Sequence, residues 1–184
     1  MSGVDDPAAG TEQAGSEAQL NASPGADSIT YIDVSHGVAL PSRPVDAVTT
    51  RDRSALTDAT IPEVFAIHNA LSVPLSVFNS FTLQGMPSVL LPSSIPAASE
   101  PVFGVLVPIA VSWSQVMSYT TNLSSPVGDA KACSWLLAVT FNGSCTGTVS
   151  AAALGLQGAI CSFDPSRSFI DPATCQTQVV WTIQ

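Results

Sequence analysis

Short hydrophobic segments, separated by proline, glycine and polar turn residues, make up most of the chain after Pro62. They are rich in β-branched and aromatic residues, and no helical period persists for more than about two turns. This pattern predicts strands rather than helices. We expect strands at 29–34, 64–67, 73–83, 89–91, 102–113, 116–121, 133–141, 146–154, 160–163 and 179–183.

Three of these segments carry further detail. The long apolar run 102–113 predicts a strand that is buried on both faces or bent at Pro108, with 116–121 as a possible pairing partner. Asn142-Gly143 is a strong hairpin signal, so Gly143 should adopt a positive φ. In the last segment, Val179, Trp181 and Ile183 alternate with Val180 and Thr182, a pattern that predicts a clear final strand.

Fourteen prolines and twelve glycines interrupt the chain at intervals typical of a β-sandwich. Strand–helix alternation is absent, which argues against a nucleotide-binding α/β fold. We predict an all-β protein: an antiparallel β-sandwich, jelly-roll or immunoglobulin-like, over 62–184. An extended connector with a short strand, 29–61, and a flexible acidic arm, 1–28, precede it. The predicted core residues are Ile67, Leu75, Val77, Phe81, Leu91, Val105, Trp135, Leu137, Val139, Val149, Val179 and Trp181.

Charge is scarce and unevenly distributed. The chain has fourteen acidic and five basic residues, a net charge of −9, and most of the acids lie in the first third. The segment 64–184 holds Glu100, Asp129, Asp164 and Asp171, with Lys131 and Arg167 as its bases. Interface cores are surfaces depleted in charge, so this segment favours burial against other subunits. A secreted domain rich in Ser and Thr is the alternative interpretation.

The same excess of acidic over basic residues limits the classes of partner that the chain is expected to bind. A strongly acidic chain with one lysine is a poor candidate for nucleic-acid binding or for docking on an anionic membrane. The first residues lack the basic start and apolar run of a secretory signal, and no run is long enough to span a membrane. The arm 1–28 has too little apolar surface to fold alone. We therefore expect it to lie along neighbouring subunits.

The four cysteines, Cys133, Cys145, Cys161 and Cys175, have no CxxC spacing and no histidines placed to complete a zinc site. Four cysteines allow three disulfide pairings, and buried free thiols are equally compatible with the sequence. The cysteines therefore leave open whether the protein resides in an oxidising or a reducing compartment.

Catalytic candidates are few. His36 and His68 are the histidines of the chain, and neither has a sequence context that defines a triad. Asp164-Pro165 and Asp171-Pro172 have the form of turn starters, and a calcium site built from these two acids lacks ligands. We expect no enzyme activity, no cofactor and no metal.

A partial motif lies within 67–103: Ile67-x-Asn69, then Asn79, Phe81, Gly85, Leu91-Pro92, Ile95-Pro96 and Phe103. This stretch resembles the actinoporin-like cytolysins, which are membrane-binding β-sandwich pore formers. The aegerolysins, another acidic β-sandwich group, have a related start. The resemblance implies a hairpin within a β-sandwich. As an alternative function it implies a lipid-binding module, with Trp113 and Tyr119 as candidate headgroup contacts.

The first functional hypothesis is a non-enzymatic structural subunit, most concretely a viral or phage capsid or capsid-decorating protein. Its partners would be copies of itself or other shell proteins, bound through the charge-poor surface and the arm, and its location the virion. The lipid-binding cytolysin module is the second hypothesis. The third is a secreted adhesion or carbohydrate-binding domain held by two disulfides.

Overall fold

A computed structural model describes residues 32–33, 37–45, 60–83 and 91–184, and these residues are all-β with no helix. The predicted arm 1–28 lies outside the described residues. The strands are β1 (Ile32–Asp33), β2 (Val38–Ala39), β3 (Thr60–Asn69), β4 (Leu75–Leu83), β5 (Ser94–Ile95), β6 (Val102–Pro108), β7 (Trp113–Thr120), β8 (Ala132–Phe141), β9 (Cys145–Ala153), β10 (Cys161–Phe163), β11 (Phe169–Ile170) and β12 (Thr177–Ile183).

The strands form the two sheets of a β-sandwich, as predicted. Sheet A has the order β1-β10-β12-β3-β6, with β11 also paired to β12, and sheet B has the order β2-β9-β8-β7-β4-β5. The pairings between the named strands are antiparallel except that β12 runs parallel to β3, and an isolated bridge between Ser42 and Ile170 is also parallel. Strands β7, β8 and β9 form a meander, whereas the chain changes sheet after β1, β2, β3, β5, β6 and β9.

Alternating residues of both sheets meet in one core. Trp135 of sheet B and Trp181 of sheet A lie with ring centroids 6.1 Å apart, and Tyr119 and Phe163 pack beside them. The core prediction is largely confirmed. Buried members are Ile67, Leu75, Trp135, Leu137, Val139, Val149, Val179 and Trp181, while Val77, Leu91 and Val105 are half-buried against the core. The side chain of Phe81 lies outside the described part.

Two disulfides join the sheets. Cys133 of β8 pairs with Cys161 of β10, and Cys145 of β9 pairs with Cys175, which lies between β11 and β12. Each closes a loop of about thirty residues, for which the loss of unfolded-state entropy stabilises a fold by about 3–4 kcal/mol. The sandwich is therefore covalently closed across its core near both ends of β8.

The Asn142-Gly143 hairpin is confirmed. Gly143 has a φ of +76°, a conformation that side chains with a Cβ rarely adopt. The turn lies between the paired residues Phe141 and Cys145, and the N–H of Asn142 donates to the carbonyl of Ser144 at 3.1 Å. The glycine thus sets the register of β8 against β9.

For the apolar run 102–113, the alternative with a break at Pro108 agrees with the structure: β6 ends at Pro108, and its outward residues are exposed. The prediction of one strand over 102–113 that pairs with 116–121 is wrong. Strand β6 pairs with β3, and β7 pairs with β4 and β8 instead of β6. The physical reason is that the link between β6 and β7 carries the chain from sheet A to sheet B.

Further observations concern strand limits and the burial of β12. Strand β3 includes Thr60 and Ile61 of the predicted connector. Residues 89 and 90 of the predicted strand 89–91 lie outside the described residues, and the short strand β5 follows at Ser94–Ile95. Val180 and Thr182 are buried as well as the core residues with which they alternate. The segment 164–168 lies against the backbone of Val180: Asp164 N–H donates to the Val180 carbonyl, and Val180 N–H donates to Ser168 Oγ.

Candidate interaction surface

Of the two catalytic candidates, His36 lies outside the described residues and His68 belongs to a surface ion cluster. The Nδ1 atom of His68 lies 3.3 Å from Glu100 Oε2, and the guanidinium of Arg167 binds both carboxylate oxygens. The hydrogen bond from Arg167, with a smaller contribution from His68, holds the pKa of Glu100 below its usual range. Such a paired, ionised carboxylate ties β3 to the loops on its outer face.

Asp164 and Asp171 act as turn anchors, as predicted. Asp164 Oδ1 accepts hydrogen bonds from the N–H and hydroxyl of Ser166, and Asp171 Oδ1 accepts from the N–H of Ala173 at 2.7 Å. Asp171 Oδ2 also accepts from the N–H of Val45. Within the described ranges, no group of three or more His, Cys, Asp or Glu side chains is placed to hold a metal ion.

Trp113 and Tyr119, the candidate lipid contacts, lie in the core. Trp113 packs edge-on against Phe65, and the Tyr119 hydroxyl donates to the carbonyl of Pro92 at 2.8 Å. Burial raises the pKa of Tyr119. Neither ring faces solvent in this conformation. None of the described residues belongs to a helix long and apolar enough to cross a membrane.

Strand β6 combines a position at the end of sheet A with an entirely apolar set of side chains. It is the last strand of sheet A, and no described strand pairs with its outer side. Its residues, Val-Phe-Gly-Val-Leu-Val-Pro, include no charged or polar side chain. Phe103, Val105 and Val107 face the core, whereas Val102 and Leu106 face outward and are 66% and 60% exposed.

The other sheet ends differ from β6. Among the described residues, β1, β2 and β5 end their sheets, and each is two residues long. Very short strands, charges and prolines are common means by which proteins protect sheet edges from pairing with another chain. Strand β6 has seven residues, no charge, and a proline only at its end. Among the described residues, its outer side is therefore left without a pairing partner.

The outer face beside β6 continues the apolar surface onto β3. Pro62 lies opposite Leu106 and is exposed, and Val64 lies opposite Gly104 and is half-buried. We call the five residues Pro62, Val64, Val102, Leu106 and Pro108 the β6 patch. An uncharged edge with an adjoining apolar face offers both backbone hydrogen bonds and hydrophobic contact to a partner.

A second apolar surface lies on two loops at one end of the sandwich. The loops are hydrogen-bonded to each other, since Leu156 N–H donates to the Gly128 carbonyl and Gln157 N–H to the Ala130 carbonyl. Leu156 is 85% exposed at the tip of its loop. We call the exposed aliphatic residues of these loops the loop patch: Leu123, Val127, Leu154, Leu156 and Ile160.

The strand paired with β6 contains a buried carboxyl group. Glu63 lies on the inner face of β3 and is fully buried. One oxygen, Oε2, accepts hydrogen bonds from the N–H of Thr177 at 2.7 Å and from its hydroxyl. Burial raises the pKa of Glu63 to about 8, although the two hydrogen bonds from Thr177 act in the opposite direction.

Sequence reasoning identified neither the β6 edge nor the buried Glu63. The absence of charge in 101–113 was the signal for β6, but we interpreted this run only as a strand buried on both faces or bent at Pro108. For Glu63 the signal was a single acid in the apolar stretch Ile61–Phe65, where alternation from Ile61 and Phe65 places it inward.

The resemblance to the cytolysins stays a prediction. The sequence matches no protein-family model, and no curated protein is recognisably similar to it.

Proposed function

We propose that this chain is a non-enzymatic structural subunit that assembles with copies of itself, and that β6 is its principal contact. The observation that carries the proposal is the open, uncharged, seven-residue edge strand with Val102 and Leu106 exposed beside it. In its most concrete form the proposal is a viral or phage capsid or capsid-decorating protein.

The preferred occupant of the β6 edge is a second copy of the same strand. Two β6 strands related by a two-fold axis pair antiparallel, so each presents the same surface to the other. The chain carries a net charge of −9, and its copies repel each other wherever acids meet. The β6 patch contains no acid, so it is a surface where two copies approach without that repulsion.

A two-fold contact by itself produces a dimer, and a larger particle needs a second, different contact. The loop patch supplies a separate apolar surface for that contact, with Leu156 at its most exposed point. The two disulfides support the same role, because covalently closed sandwiches occur on virion surfaces and in other oxidising surroundings.

Sedimentation velocity of the full chain and matched variants tests this proposal. Leu106→Lys places a charge on the β6 patch and should yield monomers, because an edge lysine opposes strand pairing. Thr146→Lys, on an exposed position of the interior strand β9, is the control and should assemble like the wild type. Leu156→Asp should stop assembly at the dimer. A wild-type chain that stays monomeric at high concentration contradicts the proposal.

A secreted adhesion or carbohydrate-binding domain is the second candidate, and the two disulfides are the observation that favours it. Binding of the wild-type monomer to an immobilised glycan, undisturbed by Leu106→Lys, would support this candidate. Peptide mapping that found four free thiols in native material would count against it.

A further inference from the structure

The carboxyl group of Glu63 lies between β6 and the centre of sheet A. Ile61 and Phe65, the next inward residues of β3, are apolar and buried. On one side of β3, β12 presents Thr177; on the other, β6 places Val105 directly opposite Glu63. The carboxyl is therefore enclosed by apolar side chains and a single hydroxyl.

This environment favours the neutral carboxylic acid. Both hydrogen bonds that the structure gives to Glu63 reach Oε2, while Oε1 is buried without a partner among the described residues. An ionised carboxylate in such a place lacks both a counter-charge and a full set of donors, which makes it costly. Burial accordingly raises the pKa of Glu63 to about 8.

Among the described residues, no charged side chain forms a hydrogen bond or an ion pair with Glu63. Thr177 is its hydrogen-bonding neighbour on β12, Gly104 and Val105 are its neighbours on β6, and across the core Trp113 packs against Phe65. The nearest charges on its own strand belong to the cluster of His68, which lies on the opposite face of β3. Burial, rather than ion pairing, therefore determines the protonation state of Glu63.

Of the two strands beside β3, β6 is the one held on a single side among the described strands. On the other side, β12 is an interior strand that is held between β3 and β10, whereas β6 is held by β3 alone among the described strands. Val105, which lies opposite Glu63, is only half-buried. Hydration of an ionised Glu63 therefore requires β6 to move away from its closed position.

We propose that Glu63 is a proton-controlled switch: its protonated form holds β6 closed and competent to pair with a second copy, and its ionised form releases β6. The proposal rests on the proposed function for its assembly readout. Because a second copy on β6 fixes the closed position, association favours the protonated state. Self-association should persist at neutral pH and weaken above about pH 8.

The test is sedimentation velocity of the full chain from about pH 6 to pH 9.5 at constant ionic strength. The wild type should lose affinity about tenfold per pH unit per Glu63 above pH 8. Glu63→Gln keeps a neutral amide and should remove this dependence. The control Asp129→Asn, which removes an exposed charge, should behave like the wild type. An unchanged pH dependence in Glu63→Gln overturns the switch.

Two further measurements separate the possible failures. Thr177→Val removes a donor that stabilises the ionised form of Glu63. It should therefore move the loss of self-association to higher pH, and this result can be measured even if Glu63→Gln folds poorly.

If the wild type associates at no pH, the proposed function fails, and amide exchange of 102–108 in the monomer then tests the switch alone. Exchange beyond the intrinsic base-catalysed rise should appear above about pH 8 in the wild type and be absent in Glu63→Gln. Equal exchange in both would refute the switch.

Discussion

Val105 lies directly opposite Glu63 in the antiparallel ladder of β3 and β6. This places a buried acid against β6, which forms one edge of sheet A among the described strands. The adjacent residue, Gly104, allows the two backbones to approach closely, because a Cβ built there would lie 2.3 Å from the Glu63 carbonyl oxygen. The edge strand, the glycine and the carboxyl therefore form one structural unit.

Gly104→Ala should loosen this unit. Its methyl group cannot coexist with the Glu63 carbonyl, so β6 must shift, at a cost of about 1–3 kcal/mol. Urea unfolding measures the loss. Gly37→Ala, where the added Cβ meets no atom within 4 Å, is the control and should change stability little. Equal stability of the two variants would show that β6 is not tightly packed on β3.

The unfolding free energy should depend on pH through Glu63. The folded state holds the proton up to about pH 8, whereas the unfolded chain releases it near the ordinary glutamate pKa of 4.5. The stabilising contribution is therefore complete below pH 4.5, declines by up to about 1.4 kcal/mol per pH unit, and is lost above pH 8. Glu63→Gln should flatten this decline in the monomeric Leu106→Lys background, as measured by urea titrations, and Asp129→Asn should not. A decline of the same size in Glu63→Gln would assign it to other groups.

Trp135→Ala should destabilise the sandwich by about 3–5 kcal/mol. The indole is fully buried and contacts Tyr119 within sheet B and Trp181 of sheet A, so its removal leaves a cavity between the sheets. Leu156→Ala, at an exposed loop tip, should stay within about 0.5 kcal/mol of the wild type in the monomer. Thermal or chemical unfolding of both variants provides the comparison, and a loss below about 1 kcal/mol for Trp135→Ala would contradict the packing.

Opening the Cys133–Cys161 disulfide should cost about 3–4 kcal/mol, since its ends lie 28 residues apart and join opposite sheets. The double variant Cys133→Ala with Cys161→Ala isolates this bridge while leaving Cys145–Cys175 in place. Its unfolding midpoint, compared with that of the wild type under non-reducing conditions, gives the effect. Peptide mapping that joins Cys133 to Cys145 instead would show that the pairing is wrong.

Much of the fold follows from local sequence signals, namely alternating hydrophobic residues and turn residues. Alternation along β8 places Trp135, Leu137 and Val139 on one face, and Asn142-Gly143 marks the turn that joins β8 to β9. These signals depend on neighbouring residues alone, so the sequence predicts them well. The pairing of β6 with β3 is different, because it joins strands separated by two sheet crossings, and no local pattern encodes that choice.

The candidate interaction surface was harder to predict. An apolar run is compatible with a strand buried within one subunit and with an edge that another subunit covers, and the hydropathy of Val102 and Leu106 is the same in both cases. The disulfide pairing was equally open, because three connectivities satisfy four cysteines. In each case the missing information was which distant residues are neighbours in space.

Hydrogen–deuterium exchange of the wild type at low and at high protein concentration tests the central claim most directly. If β6 pairs with β6 of a second copy, its outward N–H groups become hydrogen-bonded, and peptides covering 102–108 should gain protection as the concentration rises. The Leu106→Lys variant should show no such gain. Unchanged exchange in 102–108 at concentrations where the chain is shown to associate would contradict assembly through this edge.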